Sequence, residues 1–367
     1  MSVHTETPDA DERAGNPRVS AVELVRSVED LAGQVLRPAM LDTDRGSVPA
    51  SHVNLLRQVG ALNHTASKRF GGAGLGKGDE RLIHEYLAGA CLNTWLVWAQ
   101  HSGLAARVEA ALDGAEPSHP LISGLLRGKL LAGAALSDVR RYPNRYIAAE
   151  KSDGGWRFSG TVSWVSGWGL NSALLTAAVD PQRGQVVLAL VPVDTQLVAT
   201  PLELAALGGS RTVRVELKNA WVEDALVLAV EPLESWRAKD HQTAIDAKPH
   251  LFGLATAVLA ELGREPHALA QETAEAWTAR ITGLRQDAYA LADADGDVEE
   301  RLAVRVETGE ALTAITRALW VARAGRSLEH GDTAQYYLRS AHFLLVQAQT
   351  DAVRAAQLTA LTQRARN

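Results

Sequence analysis

The stretch FSGTVSWVSGWGLNSALLTAAV, residues 158–179, decides how this chain of 367 residues is interpreted. Gly160 predicts a turn, a strand then ends in Trp164-Val165-Ser166, and a second apolar strand begins near Ala173. An aromatic ring beside a hydroxyl on a short strand can pack against a flat heteroaromatic ring and hydrogen-bond its polar edge. The alternative is a half-buried hairpin with two ordinary core tryptophans, because aromatic residues on strands usually belong to the core. The stretch alone leaves both interpretations open.

Helical periodicity lies on both sides of this stretch. Apolar residues recur every three or four positions before it and after it, whereas around it the apolar period is two. The expected fold class is therefore α+β and mostly α, with an N-terminal helical domain, a central antiparallel β-sheet or small barrel, and a C-terminal helical bundle. The predicted boundaries are a disordered, polar tail over 1–18, the helical domain over 19–129, the β-domain over 130–232 and the bundle over 244–367.

Four long helices stand out within the helical zones. Their sequences are rich in Ala, Leu, Glu and Arg, and the breaks between the last three fall near 293–297 and 330–332. The predicted helices are Glu80–Ala99, Leu251–Leu291, Val298–Leu328 and Thr333–Arg364.

Composition excludes several classes of protein. The net charge is −6 and the isoelectric point is near 6.0, which argues against a nucleic-acid or anionic-membrane partner. Apolar runs are too short to span a bilayer, and the N-terminus lacks the pattern of a secretory signal, so we expect a cytoplasmic protein. The single cysteine, Cys91, rules out an internal disulfide and any multi-cysteine metal site.

Common catalytic motifs are missing or incomplete. Residues 71–78 approach a P-loop, but Gly78 stands where the Mg²⁺-binding Ser or Thr belongs. The sequence contains no Gly-x-Ser-x-Gly elbow and no His-Glu-x-x-His pair, so we expect neither that hydrolase chemistry nor a metal site.

Four motifs, Trp164-Val165-Ser166 among them, occur in the same order along the chain as in a known family. The chain is similar to the acyl-CoA dehydrogenase superfamily, whose members have a helical domain, a β-domain and a four-helix bundle. Trp164-Val165-Ser166 resembles the family's Trp-Ile-Thr, which stacks on the flavin and hydrogen-bonds its N5/O4 edge. The other matching segments are Phe70–Gly74 (Tyr-Gly-Gly-x-Gly), Ala135–Asp138 (Ala-x-Thr-Glu-Pro) and Leu207–Thr212 (Leu-Gly-x-x-x-Ser/Thr), and the helix Cys91–His101 is similar to the one over the flavin and acyl pocket.

The resemblance implies a cofactor and a set of site residues. FAD is the expected cofactor, ahead of FMN. Its implied binding residues are Leu136, Ser137, Trp164, Val165 and Ser166, with Gln347 reaching across a dimer, although Gln347 as a helix residue is equally compatible with a solvated position. The implied substrate pocket includes Trp98, His101 and Arg140, and exposed structural arginine is the alternative for the last.

The proton-abstracting base of the family is not recognisable. Its Tyr-Glu-Gly-Thr context is missing, and the region near residue 347 has no glutamate. A minority of the family carries the base on the first bundle helix, where this chain offers Asp246 and His250. Asp246 is therefore the candidate base, against the alternative of a solvated surface acid.

Three functions remain open at this point. The resemblance favours a flavin-dependent oxidoreductase that dehydrogenates an acyl-CoA or other acyl thioester at its α,β bond and passes hydride to flavin N5. One alternative is a monooxygenase of the same fold, which uses reduced flavin and a flat aromatic substrate; the other is a non-enzymatic oligomer that has lost flavin. The implied partners are an electron-transfer protein or a flavin reductase, and a second copy in a homodimer or homotetramer.

Overall fold

Seven helices form the first part of the chain in the computed structural model, which describes residues 20–366. The predicted tail over 1–18 lies outside the described residues. The first helix begins with a capping box, because Ser20 Oγ accepts from Glu23 N and the Glu23 carboxylate accepts from Ser20 N. The helices are α1 (Ala21–Leu31), α2 (Met40–Arg45), α3 (Ala50–Gln58), α4 (Lys77–Ala90), α5 (Leu92–Ala99), α6 (Leu104–Leu112) and α7 (Pro120–Leu126).

Cys91 interrupts the single helix that the sequence predicts over Glu80–Ala99. Its backbone is extended (φ −154°, ψ 103°), so α4 ends at Ala90 and α5 begins in a new direction at Leu92. The Cys91 side chain is fully buried. The apolar pattern continues across this break, which is why periodicity alone did not reveal it.

Eight strands follow and form one sheet, in the order β6-β7-β3-β2-β4-β5-β8, with β1 paired to β4. Most pairs are antiparallel, as the sequence predicts, but β1 and β2 each pair with β4 in parallel. The strands are β1 (Ala132–Ala135), β2 (Ala148–Ser152), β3 (Gly155–Val165), β4 (Ala173–Asp180), β5 (Gln185–Pro192), β6 (Leu197–Pro201), β7 (Val213–Glu223) and β8 (Val227–Pro232).

Six helices complete the chain. The two long predicted helices that begin at Leu251 and Thr333 are each two helices, because the backbone breaks at 263–267 and at 347–350. In the second break Ala348 has a left-handed backbone (φ 52°), a conformation that periodicity does not reveal. The helices are α8 (Leu233–Ala244), α9 (Pro249–Leu262), α10 (Ala268–Asp293), α11 (Val298–Arg323), α12 (Thr333–Val346) and α13 (Asp351–Arg366).

Glycines allow the N-terminal helices to pack closely on the bundle. A Cβ at Gly253 on α9 would lie 2.2 Å from the carbonyl oxygen of Glu85 on α4, and a Cβ at Gly89 would lie 2.7 Å from the carbonyl oxygen of Gly253. One hydrophobic core therefore runs through both helical parts, and a second lies on the sheet beneath α6 and α7. None of the helices within 20–366 is both long enough and apolar enough to cross a membrane.

Candidate functional site at the junction of the three parts

A β-bulge exposes Trp164 at the end of β3. Val162 pairs with Val215 and Val165 pairs with Val213, so two residues of β3 lie opposite one residue of β7. The bulge breaks the in–out alternation, and Trp164 is 47% exposed while its neighbours Ser163 and Val165 are buried. The indole is therefore a flat apolar surface open to solvent.

A chain of three buried hydroxyls lies next to this indole in sequence. Thr212 Oγ1 is 2.9 Å from Ser166 Oγ and 2.7 Å from Ser210 Oγ. Three hydroxyls have three protons, and the two mutual hydrogen bonds use only two of them. Within residues 20–366 neither serine hydroxyl has a further partner, so one O–H remains free to donate.

Asp138 attaches the turn after β1 to the strand that carries Trp164. Its carboxylate accepts from Ser163 N at 2.8 Å and from Ser163 Oγ at 2.5 Å, and Arg141 Nη1 donates to it at 3.3 Å. Leu136 is half-buried and Ser137 is exposed at the start of this turn. Arg140 follows on the same turn and points toward the bundle.

A cavity of about 160 Å³ lies where this turn meets the bundle. Its walls come from the turn, α8, the connection from α8 to α9, the middle of α11 and the break between α12 and α13. Four residues singled out in the sequence line the cavity, namely Arg140, Asp246, His250 and Gln347. Three further charged residues line it as well, namely Asp240, Lys248 and Arg305.

Both carboxylates of the cavity are held in ion pairs. Arg140 forms a bidentate pair with Asp240, with Nε and Nη2 at 2.7 and 2.8 Å from its two oxygens. Asp246 accepts from Arg301 at 2.8 Å and from Lys248 at 2.9 Å, one cation on each oxygen. Burial raises the pKa of Asp246, but these cations together outweigh burial and hold the pKa below its ordinary value.

His250 is the other titratable group in the wall of the cavity. Burial above all, with smaller contributions from nearby cations, lowers the pKa of His250 well below its ordinary value. The imidazole is therefore neutral at pH 7.

Comparisons with known proteins agree with this architecture. Residues 20–113 match the family model described as acyl-CoA dehydrogenase, N-terminal domain. Butyryl-CoA dehydrogenase from Megasphaera elsdenii superposes with a TM-score of 0.76 at 13% identity, covering 93% of this chain and 98% of that one. Residues 20–113 are therefore similar to the N-terminal domain of acyl-CoA dehydrogenases, and the chain shares its fold with butyryl-CoA dehydrogenase.

Two further solved structures share the fold. A glutaryl-CoA dehydrogenase from Mycobacterium smegmatis, solved in complex with FADH2, matches with a TM-score of 0.74 at 16% identity, over 94% of both chains. An acyl-CoA dehydrogenase from Geobacillus kaustophilus matches with a TM-score of 0.76 at 14% identity, over 95% of this chain and 99% of that one. No curated protein matches the chain by sequence.

Trp98 and His101 do not line the cavity. Trp98 is fully buried and its Nε1 donates to Ala61 O at 2.8 Å. His101 Nε2 donates to Leu62 O at 2.7 Å, while Nδ1 accepts from Ala132 N at 3.1 Å. These bonds connect the end of α5 and the turn after it to the segment that follows α3 and to β1, and both side chains are buried in the core.

Three charged residues of the cavity went unnoticed in the sequence. Asp240 lies in the segment 233–243, which received no assignment, and Lys248 precedes the predicted start of a helix. Arg305 did have a signal, because buried residues of α11 recur at helical spacing and arginines fill two of these positions. Buried positions at three- or four-residue spacing include Arg301, Arg305, Thr308, Leu312 and Ile315. An arginine in an apolar stripe needs an explanation that composition alone does not provide.

Proposed function

We propose that this protein is a flavin-dependent oxidoreductase that binds FAD against Trp164 and dehydrogenates an acyl thioester held in the cavity. The observation that carries the proposal is the half-exposed Trp164 indole beside a hydroxyl chain with one free donor. A planar cofactor with acceptor atoms on its edge requires those two features. The shared fold with a glutaryl-CoA dehydrogenase solved with FADH2 supports the same assignment.

The residues near Trp164 fit a flavin in their chemistry. Ser166 is the end of the hydroxyl chain nearest to the indole in sequence, and it is 7% exposed rather than fully enclosed. Leu136 is half-buried and can provide apolar contact, and Ser137 is exposed for a polar one, whereas the Val165 side chain is fully buried and offers no surface to a flavin. When bound, the flavin supplies the hydride acceptor of the reaction.

The cavity residues then orient the substrate and take its proton. Dehydrogenation removes an α-hydrogen as a proton and a β-hydrogen as hydride, so the chain must provide a base on the substrate side. We assign Asp246 as that base. Arg301 and Lys248 each donate to one oxygen of Asp246, and each oxygen keeps a second acceptor site at which the proton can be taken.

A titration with FAD tests the proposal. Removal of the indole in Trp164→Ala should weaken FAD binding about tenfold, equivalent to about 1.4 kcal/mol, through loss of stacking. The measurement is FAD affinity from the visible absorbance and fluorescence of the flavin. Trp221→Ala is the matched control, because Trp221 lies on β7 of the same sheet and stacks on Arg157.

Two results would contradict the proposal. The first is a folded protein that takes up no FAD, which would favour an oligomer that has lost its cofactor. The second is equal FAD affinity in the wild type and in both variants, which would remove Trp164 from the site.

The ion pairs of the cavity favour a second candidate, a monooxygenase supplied with reduced flavin by a reductase. Both cavity carboxylates are engaged by cations, and oxygen transfer to a flat aromatic substrate needs no α-proton base. Oxygen consumption that requires added reduced flavin, with no flavin reduction by any acyl thioester, would establish this candidate. In the dehydrogenase an electron-transfer protein would reoxidise the flavin. In either case we propose a homodimer or homotetramer.

A further inference from the structure

Arg305 is a buried cation without a carboxylate partner. It is 8% exposed, and its Nη2 donates to the backbone oxygen of Gln347 at 3.0 Å. A guanidinium has five N–H donors, and this is its one hydrogen bond within residues 20–366. Among the same residues no carboxylate oxygen lies within 4.0 Å of its nitrogens.

The charges of the cavity do not balance without an anion. Three cations line it, namely Arg140, Lys248 and Arg305, against the two carboxylates Asp240 and Asp246. Asp240 is matched by Arg140 and Asp246 by Lys248, which leaves Arg305 unmatched. Arg301 lies beside the cavity, shares Asp246 and is itself paired with Asp295, while His250 is neutral.

This arrangement is unfavourable in the free protein. Burial and the charge of Arg140 lower the pKa of Arg305 to about 10, so the group remains a cation at neutral pH. A buried charge is normally paired, because removal from water is not repaid otherwise. A single monoanion in the cavity would satisfy both the unmatched charge and the unused donors.

We propose that the cavity binds the free carboxylate of an acyl group, with Arg305 as its partner, and that the substrate is an acyl thioester whose chain ends in a carboxylate. This inference rests on the proposed function. A carboxylate has the single negative charge that the cavity lacks, and its two oxygens match the guanidinium fork. A phosphate monoester carries up to two charges and would leave the cavity with an excess of anion. The amides of Gln347 and Gln357 also line the space and can donate to the same group.

Calorimetry with small probes tests the inference independently of redox chemistry. Monomethyl glutarate carries one carboxylate and one ester, as the proposed thioester does, and dimethyl glutarate is its neutral counterpart. We expect the wild type to bind monomethyl glutarate at least tenfold more tightly than dimethyl glutarate or inorganic phosphate. Arg305→Met should lose this preference, whereas Arg317→Met, on the exposed side of the same helix, should retain it.

Arg305→Lys serves as the second variant in case the methionine disturbs folding. Lysine keeps the positive charge but lacks the paired N–H donors of the guanidinium. We therefore expect weaker binding of monomethyl glutarate, with its preference over dimethyl glutarate retained. Equal binding of the ester and the acid, undiminished binding in Arg305→Met, or phosphate binding as tight as that of monomethyl glutarate would each overturn the inference. FAD uptake is scored separately by absorbance, so a protein that binds flavin but no carboxylate refutes this inference alone.

Discussion

Arg323 and Arg305 lie on the same helix, and their surroundings differ in one respect. Arg323 donates to Glu261, Glu265 and Asp332 at 2.7–2.8 Å. Within residues 20–366 Arg305 donates to a single acceptor, the backbone oxygen of Gln347. Burial lowers the pKa of both, but the three carboxylates outweigh burial at Arg323 and raise its pKa above the ordinary value. The difference separates a buried charge that holds the bundle together from one that is retained for a ligand.

Removal of Arg323 should have the largest effect on stability. Arg323→Met leaves Glu261, Glu265 and Asp332 close together, and among residues 20–366 the cation that remains paired with two of them is the exposed Arg326. We expect the free energy of unfolding to fall by about 4 kcal/mol, as when one partner of a buried ion pair is removed. Urea denaturation measures this loss, with Arg317→Met as the control. A loss below about 1 kcal/mol would show that the network is not structural.

A fall in pH should produce the next largest loss of stability, through His101, whose buried imidazole is hydrogen-bonded at both nitrogens and neutral. Burial lowers the pKa of His101 to about 4 in the folded protein, from an ordinary value of 6.5. Between these values the unfolded chain binds a proton that the folded protein does not. The contribution of His101 is therefore complete above pH 6.5 and is lost as the pH falls toward 4, a change of about 3 kcal/mol.

Urea denaturation at several pH values checks this expectation. His101→Gln keeps a donor and an acceptor but cannot titrate, so the free energy of unfolding should depend less steeply on pH in this window. The same pH dependence in the wild type and the variant would mean that other groups cause the acid destabilisation.

Arg305→Met should change the free energy of unfolding least, and should raise it rather than lower it. An apolar side chain of similar length removes an unpaired buried charge and should raise the free energy of unfolding by about 1 kcal/mol. Urea denaturation of the ligand-free protein tests this. If the variant is less stable by more than about 2 kcal/mol, Arg305 resembles Arg323, and the contrast between them disappears.

The architecture was predictable from the sequence because the apolar period changes twice, near residues 130 and 232. The helix breaks at Cys91 and Ala348 were not predictable. Each depends on the backbone conformation of one residue, while the apolar pattern of the sequence continues across it. The order of the strands, with two parallel pairs at β4, also depends on contacts distant in sequence.

The candidate site was predictable only in pieces. Trp164 and Ser166 were named from one segment, whereas the exposure of the indole depends on a bulge against β7. Arg140, Asp246 and Gln347 were named for separate reasons, and only the folded chain brings them to one cavity. Arg305 was missed although it shares the helical spacing of the apolar residues of α11, because only the folded chain shows that no carboxylate within residues 20–366 pairs with it.

The central claim is that a flavin at Trp164 and a substrate in the Arg305 cavity react with each other. The most direct test is the anaerobic visible spectrum of the FAD-loaded protein after addition of an acyl thioester that ends in a carboxylate. Our account predicts that the absorbance of the oxidised flavin disappears, and that the methyl ester of the same thioester causes much slower loss. A flavin that stays oxidised with both thioesters would contradict it.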